Sequence, residues 1–236
     1  RIFSKDTEHI VPMYGFDNVN ATIGTKGTLD GWRMVIHGLI QLERWDILSM
    51  MLVGFAAPLM KFTGLAGVTF HLCGNNSGLG KTLCQRLASS VWGHPDKFRI
   101  TPNTSSVAML NRLGMLGNLP LLVDEITHKG RNDSEWFPEF LSQMSDGRGK
   151  DRMESSSNAE RRNTTTWATI ALMTSNKNMM DYLTAERAHT SEGEIRRLVE
   201  IVFFKELKLT PLIQSLFVDT LPNNYGVAGE AYAKWL

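Results

Sequence analysis

The spacing of apolar and polar positions changes character along the chain. Over residues 1 to 27 it has no period: Ile10 and Val11 stand together, Gly15, Gly24 and Gly27 interrupt any repeat, and loop with short strand is expected. Thr28 or Asp30 then offers an N-cap to a helix whose apolar residues Trp32, Val35, Ile36, Leu39, Ile40 and Leu42 share one face. A second helix is predicted from Trp45 to Ala57, ended by Pro58. The near-apolar stretch from Ile47 to Lys61 falls short of the roughly 20 residues that cross a bilayer, and it reads as a buried helix, with no membrane partner.

Beyond that helix the texture becomes one of short, continuous apolar runs: Val68 to Cys73, Phe98 to Thr101, Leu119 to Val123, Trp167 to Thr174 and Leu198 to Phe204. Such runs suit strands buried on both faces of a parallel sheet. Helical stretches lie between them at Thr82 to Trp92, Thr104 to Leu113, Ser134 to Met144 and Met179 to Ala188. Five mainly parallel strands alternating with helices predict a doubly wound α/β fold, with residues 1–66 as an N-terminal accessory segment and 67–236 as the core.

Composition narrows the class. Of 236 residues, 42% are hydrophobic and 21% charged, a globular profile, and 25 Lys and Arg against 24 Asp and Glu leave a net charge of +1. Any nucleic-acid binding therefore rests on a local patch. Cys73 and Cys84 lie eleven positions apart without a Cys or His at ligand spacing, which speaks against a disulfide scaffold or zinc ribbon and for a reducing cytoplasm. Residue 1 is Arg, so the chain reads as a piece of a larger protein.

The strongest chemical signal follows the first core strand: Gly74, Asn75, Asn76, Ser77, Gly78, Leu79, Gly80, Lys81 and Thr82, with a helix after it. This is the context of a phosphate-binding loop. Glycines let backbone N–H groups turn inward, Lys81 reaches the β and γ oxygens of ATP, and the Thr82 hydroxyl holds Mg2+. Asn75 stands where the pattern has its first glycine, with Gly74 one place early, and since Asn tolerates left-handed backbone best after Gly, a variant loop and not a dead one is expected. A glycine-rich turn that merely ends in Gly-Lys-Thr is the bland alternative.

Asp124 and Glu125 end the apolar run from Leu119, 42 and 43 residues beyond Thr82, placed to hold the metal's water shell and to polarise an attacking water. Alone, an Asp-Glu pair is an ordinary loop start. Asn176 follows the fourth strand, where an amide can touch the γ-phosphate or simply form a turn. Arg196 and Arg197 precede the last strand, suited to a trans arginine finger or to a solvated basic pair; Arg197 is the first choice, Arg196 the second and Arg187 the third.

With these elements in order the chain resembles an AAA+ ATPase of the superfamily 3 type, similar to the helicase domains of phage and mobile-element replication proteins, including primase-linked ones. The resemblance runs from Gly27 to the C-terminus and takes in the segment from Thr101 to Ser106, the Arg-Leu-Val-Glu-Ile strand and Tyr225 to Gly229. It implies that Asn176 is a sensor of the γ-phosphate. It also implies a β-hairpin inserted around residues 147–166 whose Lys150, Arg152, Arg161 and Arg162 grip single-stranded DNA in the channel of a ring, where a solvated loop is the alternative. ATP, Mg2+, a hexameric homo-oligomer, a primase or polymerase domain in the same full-length chain and a bacterial host cytoplasm complete the expectation. A nucleotide switch or loader that remodels a protein partner, and a nucleotide-binding module with little hydrolysis, are the rival readings.

Overall fold

The computed structural model describes residues 17–76, 78–101, 104–126, 136–149, 152–153, 160–161, 165–186, 197–204 and 206–236. In chain order these form helices α1 (Asp17–Asn20), α2 (Leu29–Gln41) and α3 (Trp45–Ala56), strand β1 (Gly67–Cys73), helices α4 (Lys81–Ser90) and α5 (Ser106–Leu116), and strand β2 (Leu121–Val123). Helix α6 (Trp136–Asp146), strands β3 (Arg152–Met153), β4 (Glu160–Arg161) and β5 (Thr169–Thr174), helix α7 (Met179–Glu186), strand β6 (Leu198–Val202) and helices α8 (Pro211–Gln214) and α9 (Val227–Trp235) follow.

The chain packs as two compact units. One holds the described residues up to Phe55, Gly80–Arg99 and Glu206–Leu236. It is helical. Thr28 caps α2 as expected, its side chain accepting from Gly31 N–H at 3.0 Å. Helix α3 packs on α4 so closely that a Cβ on Gly54 would stand 2.8 Å from Val91 Cγ2, and Trp92 Nε1 donates to Gly54 O at 2.7 Å. By length and composition alone Trp45–Phe62 is apolar enough to cross a membrane, yet Ile47, Met50 and Val53 are buried in the protein. Pro58 ends the α-helix at Ala56 and the chain continues as a 3-10 turn, since proline is tolerated at its first residues.

The other unit, Ala56–Leu79 with the described residues of Ile100–Lys205, holds a parallel four-stranded sheet in the order β2-β5-β1-β6. The α/β class is the one expected; among the described residues the sheet has four strands, one fewer than expected. Phe98 to Thr101 contributes only a parallel bridge of Ile100 with Val123, made by Ile100 N–H to Leu122 O and Asp124 N–H to Ile100 O. Pro102 comes next in sequence and has no N–H with which to extend a ladder. Strand β6 also differs from expectation. It ends the sheet at one edge, and Val199 and Val202, on opposite faces, are 40% and 39% exposed, so the strand is not buried on both faces. Between α6 and β5, strands β3 and β4 pair antiparallel with Arg152 opposite Arg161, and Arg148 bridges Thr166.

Candidate functional site

In a parallel sheet all carboxyl ends meet at one edge, the usual place for a ligand. Here that edge gathers the exits of β1 into Gly74–Asn76, of β2 into Asp124 and Glu125, and of β5 into Ser175 and Asn176. Phe203 N–H donates to Cys73 O at 2.8 Å and ties the exit of β6 to the start of the loop.

Close approach decides the loop's first glycine. A Cβ on Gly74 would lie 2.4 Å from Leu79 Cδ1 and 2.8 Å from the backbone oxygen of Phe203. The left-handed positions fall on Gly78 at φ +83° and Gly80 at φ +96°. Asn75 is not among the described residues with positive φ: Gly74 takes the close approach, and the left-handed turn is made farther on. In the helical unit Gly80 is the N-cap of α4 and gives it no side-chain cap. Lys81 opens that helix and is 8% exposed; Thr82 is exposed. Arg44 was not a sequence candidate. Its Nη2 would stand 3.4 Å from a Cβ on Gly80, and its guanidinium is held by both carboxylate oxygens of Asp46, at 2.8 and 2.6 Å. Burial pushes the Asp46 carboxyl up, but Arg44 outweighs it and holds the group below its ordinary range.

The acids are joined by a residue that sequence reasoning missed. Thr174, the last residue of β5, donates from Oγ1 to Asp124 Oδ1 at 2.9 Å and accepts from Glu125 N–H at 2.9 Å. Glu125 takes φ +50°, a conformation that few side chains tolerate. Two residues beyond Thr174, Asn176 is exposed in the bend after β5.

A second buried network ties three strands' worth of chain together. His71 in β1 is fully buried and faces Glu200 Oε1 through Nδ1 at 3.2 Å and Ser175 Oγ through Nε2 at 2.8 Å. Glu200 also accepts from Met179 N–H at 2.8 Å and Met180 N–H at 3.0 Å, capping α7. Burial pushes its carboxyl up, while the bonds from His71, Met180 and Met179 outweigh that and hold it below its ordinary value. The donor atoms of His71, Cys73 and Glu200 lie within 4.8 Å of one another, but the carboxylate is engaged by His71 and two amides. Burial pushes the Cys84 thiol up as well, which makes it inert.

Arg197 lies just before β6, exposed, its carbonyl accepting from Thr69 N–H at 3.0 Å. The register pairs Thr69 with Leu198 and Cys73 with Val202, so Arg197 is at the amino end of the strands and the loop at the carboxyl end. Five strand residues, Leu198 to Val202, separate those ends, and the six steps along the strand span about 20 Å. Ser77, Lys150, Arg162, Arg187 and Arg196 lie outside the described residues; Arg152 and Arg161 are the register partners of the hairpin.

A family model described as a domain of unknown function, DUF927, matches residues 1–165. Among solved structures, "SCCmec type IV Cch - active helicase" is similar at a TM-score of 0.63 and 20% identity over 90% of this chain. "The X-ray structure of JCV Helicase" is similar at a TM-score of 0.45 and 12% identity over 89%. The chain spans 38% and 55% of the lengths of those two chains. The first likeness shows the fold, and it is the helicase-type α/β fold that the motifs resemble. No curated protein matches the chain.

Proposed function

The chain belongs to the DUF927 family, and from that premise we propose that it is the motor domain of an ATP-dependent DNA helicase from a phage or mobile-element replication protein. The observation that carries the reading is the single strand edge shared by the start of the phosphate loop, the Thr174-linked acids and Asn176. Similarity of fold to a mobile-element helicase supports it. In this reading residues 1–66 are an accessory segment, 67–236 the ATPase core and 147–166 its hairpin insertion.

The residues fit the nucleotide and metal by their chemistry: glycines where side chains would intrude, an uncapped helix N-terminus, a lysine, a hydroxyl and a carboxylate. Loop amides from Gly74 to Thr82 and the Lys81 ammonium hold the phosphates. Thr82 and Asp124 hold Mg2+, which when bound neutralises phosphate charge. Glu125, fixed through its own N–H by Thr174, orients the attacking water and takes its proton. Asn176 reads the γ-phosphate. Arg197, at the far end of the strands from its own loop, serves the site of a neighbouring copy, which calls for a ring, read here as a hexamer. Arg152 and Arg161, opposite one another in the hairpin, bind backbone phosphates of single-stranded DNA together with Lys150 and Arg162. A primase or polymerase domain in the full-length protein and a bacterial cytoplasm as its setting belong to the same reading.

The test is ATP turnover with and without single-stranded DNA, beside Lys81→Ala and Glu125→Gln. Turnover that DNA raises and both variants abolish is expected. Intact turnover in both variants overturns the assignment, and turnover indifferent to DNA at low salt overturns the motor in favour of a nucleotide switch.

A further inference from the structure

The bend that carries Asn176 is fastened at both of its ends, and the two fastenings meet at one buried contact. At the β5 end Ser175 donates its N–H to Leu72 O at 3.0 Å, and its Oγ lies 2.8 Å from His71 Nε2. At the α7 end Glu200 accepts from Met179 N–H at 2.8 Å and from Met180 N–H at 3.0 Å. His71 and Glu200 are partners in the register of β1 with β6, and His71 Nδ1 stands 3.2 Å from Glu200 Oε1. We propose that His71 and Glu200 are positioning residues for Asn176, holding its amide where the γ-phosphate of ATP is read. The proposal rests on the role given to Asn176 above and adds what fixes that amide.

The protons give this chain of contacts its direction. The Ser175 hydroxyl has one proton and donates it to Lys177 O, so its oxygen is left to accept, from Lys177 N–H at 3.2 Å and from His71 Nε2–H. At the other side of the ring a carboxylate oxygen has nothing to donate to a bare Nδ1, so Nδ1 carries a proton as well and gives it to Glu200. The Glu200 carboxyl, held below its ordinary value, is the ionised partner that this arrangement needs. Both contacts of the ring are thus charge-assisted, and the His71 side chain is fully buried with that of Glu200 only 7% exposed, so water does not loosen them. Among the described residues the ring is also faced by Cys73 of its own strand and by the Phe137 ring of α6 at 6.3 Å. Adjacent residues at the end of β5 then divide the work. Thr174 serves Asp124 and Glu125, Ser175 is tied to β1, and Asn176 follows, exposed. Losing the Ser175 hydroxyl therefore frees the bend and leaves the bonds of the acids in place.

Two measurements test this. Nitrogen NMR of the histidine rings in the parent chain, with His71 identified by its loss in His71→Gln, should find a proton on both ring nitrogens; an unprotonated nitrogen overturns the arrangement. The other measurement is a cycle of Ser175→Ala, Asn176→Ala and the double variant, read as ATP turnover, ATP affinity and ADP affinity. Ser175→Ala is expected to lower kcat about ten- to a hundredfold, the scale of a misplaced contact to the reacting group. It should also weaken ATP binding relative to ADP, with ADP affinity unchanged as the sign of an intact fold. The double variant should be no slower than Asn176→Ala. An unchanged kcat in Ser175→Ala, equal loss of ATP and ADP binding, or losses that multiply in the double variant would overturn the positioning role. If Asn176→Ala alone turns over ATP like the parent, the reading of Asn176 as the γ-phosphate contact fails instead, and the positioning role with it.

Discussion

Thr174 holds the two acids of the neighbouring strand with one oxygen, donating to the side chain of Asp124 and accepting from the backbone of Glu125, both at 2.9 Å. Thr174→Val keeps the shape and removes both bonds. It is expected to lower turnover by one to two orders of magnitude and stability by about 1–2 kcal/mol, since a part-buried N–H is left without its acceptor. Thr174→Ser should restore most of both. Steady-state ATPase rates beside thermal melting check this, and a fall in stability alone would make Thr174 a packing residue.

Gly74 and Asn75 have exchanged the parts their spacing suggested. Gly74→Ala drives a Cβ into the immovable oxygen of Phe203 and is expected to cost about 1–3 kcal/mol and most nucleotide affinity. Asn75→Gly, which restores the usual pattern, should leave affinity within about twofold, because the native backbone there has no positive φ to relieve. Nucleotide titration of the two variants compares them directly.

Arg197 is expected to act on another copy's nucleotide. Arg197→Ala should keep ATP affinity and abolish turnover, and so should Glu125→Gln. Mixing the two inactive proteins should restore part of the activity, because some interfaces then pair an intact glutamate with an intact arginine. No recovery at any mixing ratio would return Arg197 to a structural role.

The hairpin makes a salt-dependent prediction. Replacing Arg152 and Arg161 together by Gln should weaken single-stranded DNA binding about equally for all sequences. The slope of log affinity against log salt should become shallower by roughly 0.7 for each DNA phosphate that is no longer neutralised. An unchanged slope would place the DNA elsewhere.

Glu200 gives the fold a defined response to acid. Its carboxyl is held below the ordinary value of 4.5 in the folded chain, so its contribution to stability is complete above that value and disappears as pH falls through the lowered one. Asp46, lowered from 3.8 beside Arg44, acts in the same direction. Melting temperature should fall steeply below about pH 4.5 in the parent. Glu200→Gln should be less stable at pH 7 by roughly 1.5–3 kcal/mol and show a flatter acid limb.

What was legible in the sequence was whatever announces itself locally. Continuous apolar runs located β1, β2, β5 and β6, and the Gly-Lys-Thr ending with its helix marked the loop. Relations across strands were not legible. Thr174 sits inside an apolar run and reads as one more strand residue until β2 is laid beside β5. Glu200 in an otherwise apolar strand was a visible anomaly, but its partner His71 is 129 positions away. Arg44 reads as an ordinary charge between two helices, and only the fold brings it against Gly80. The run from Phe98 misled because an edge position needs so few hydrogen bonds that apolar composition alone does not extend it.

The strand order carries a consequence for how the protein fails. β1 is zipped to β5 through six register pairs and to β6 through five, whereas β2 and β6 each have one neighbouring strand. Amide deuterium uptake should therefore begin in β2 and β6 and reach β1 last. On warming, the flanks that carry the acids and Arg197 are expected to come loose before the strand that leads into Gly74, so that, on the proposed function, hydrolysis should be lost at a lower temperature than nucleotide binding.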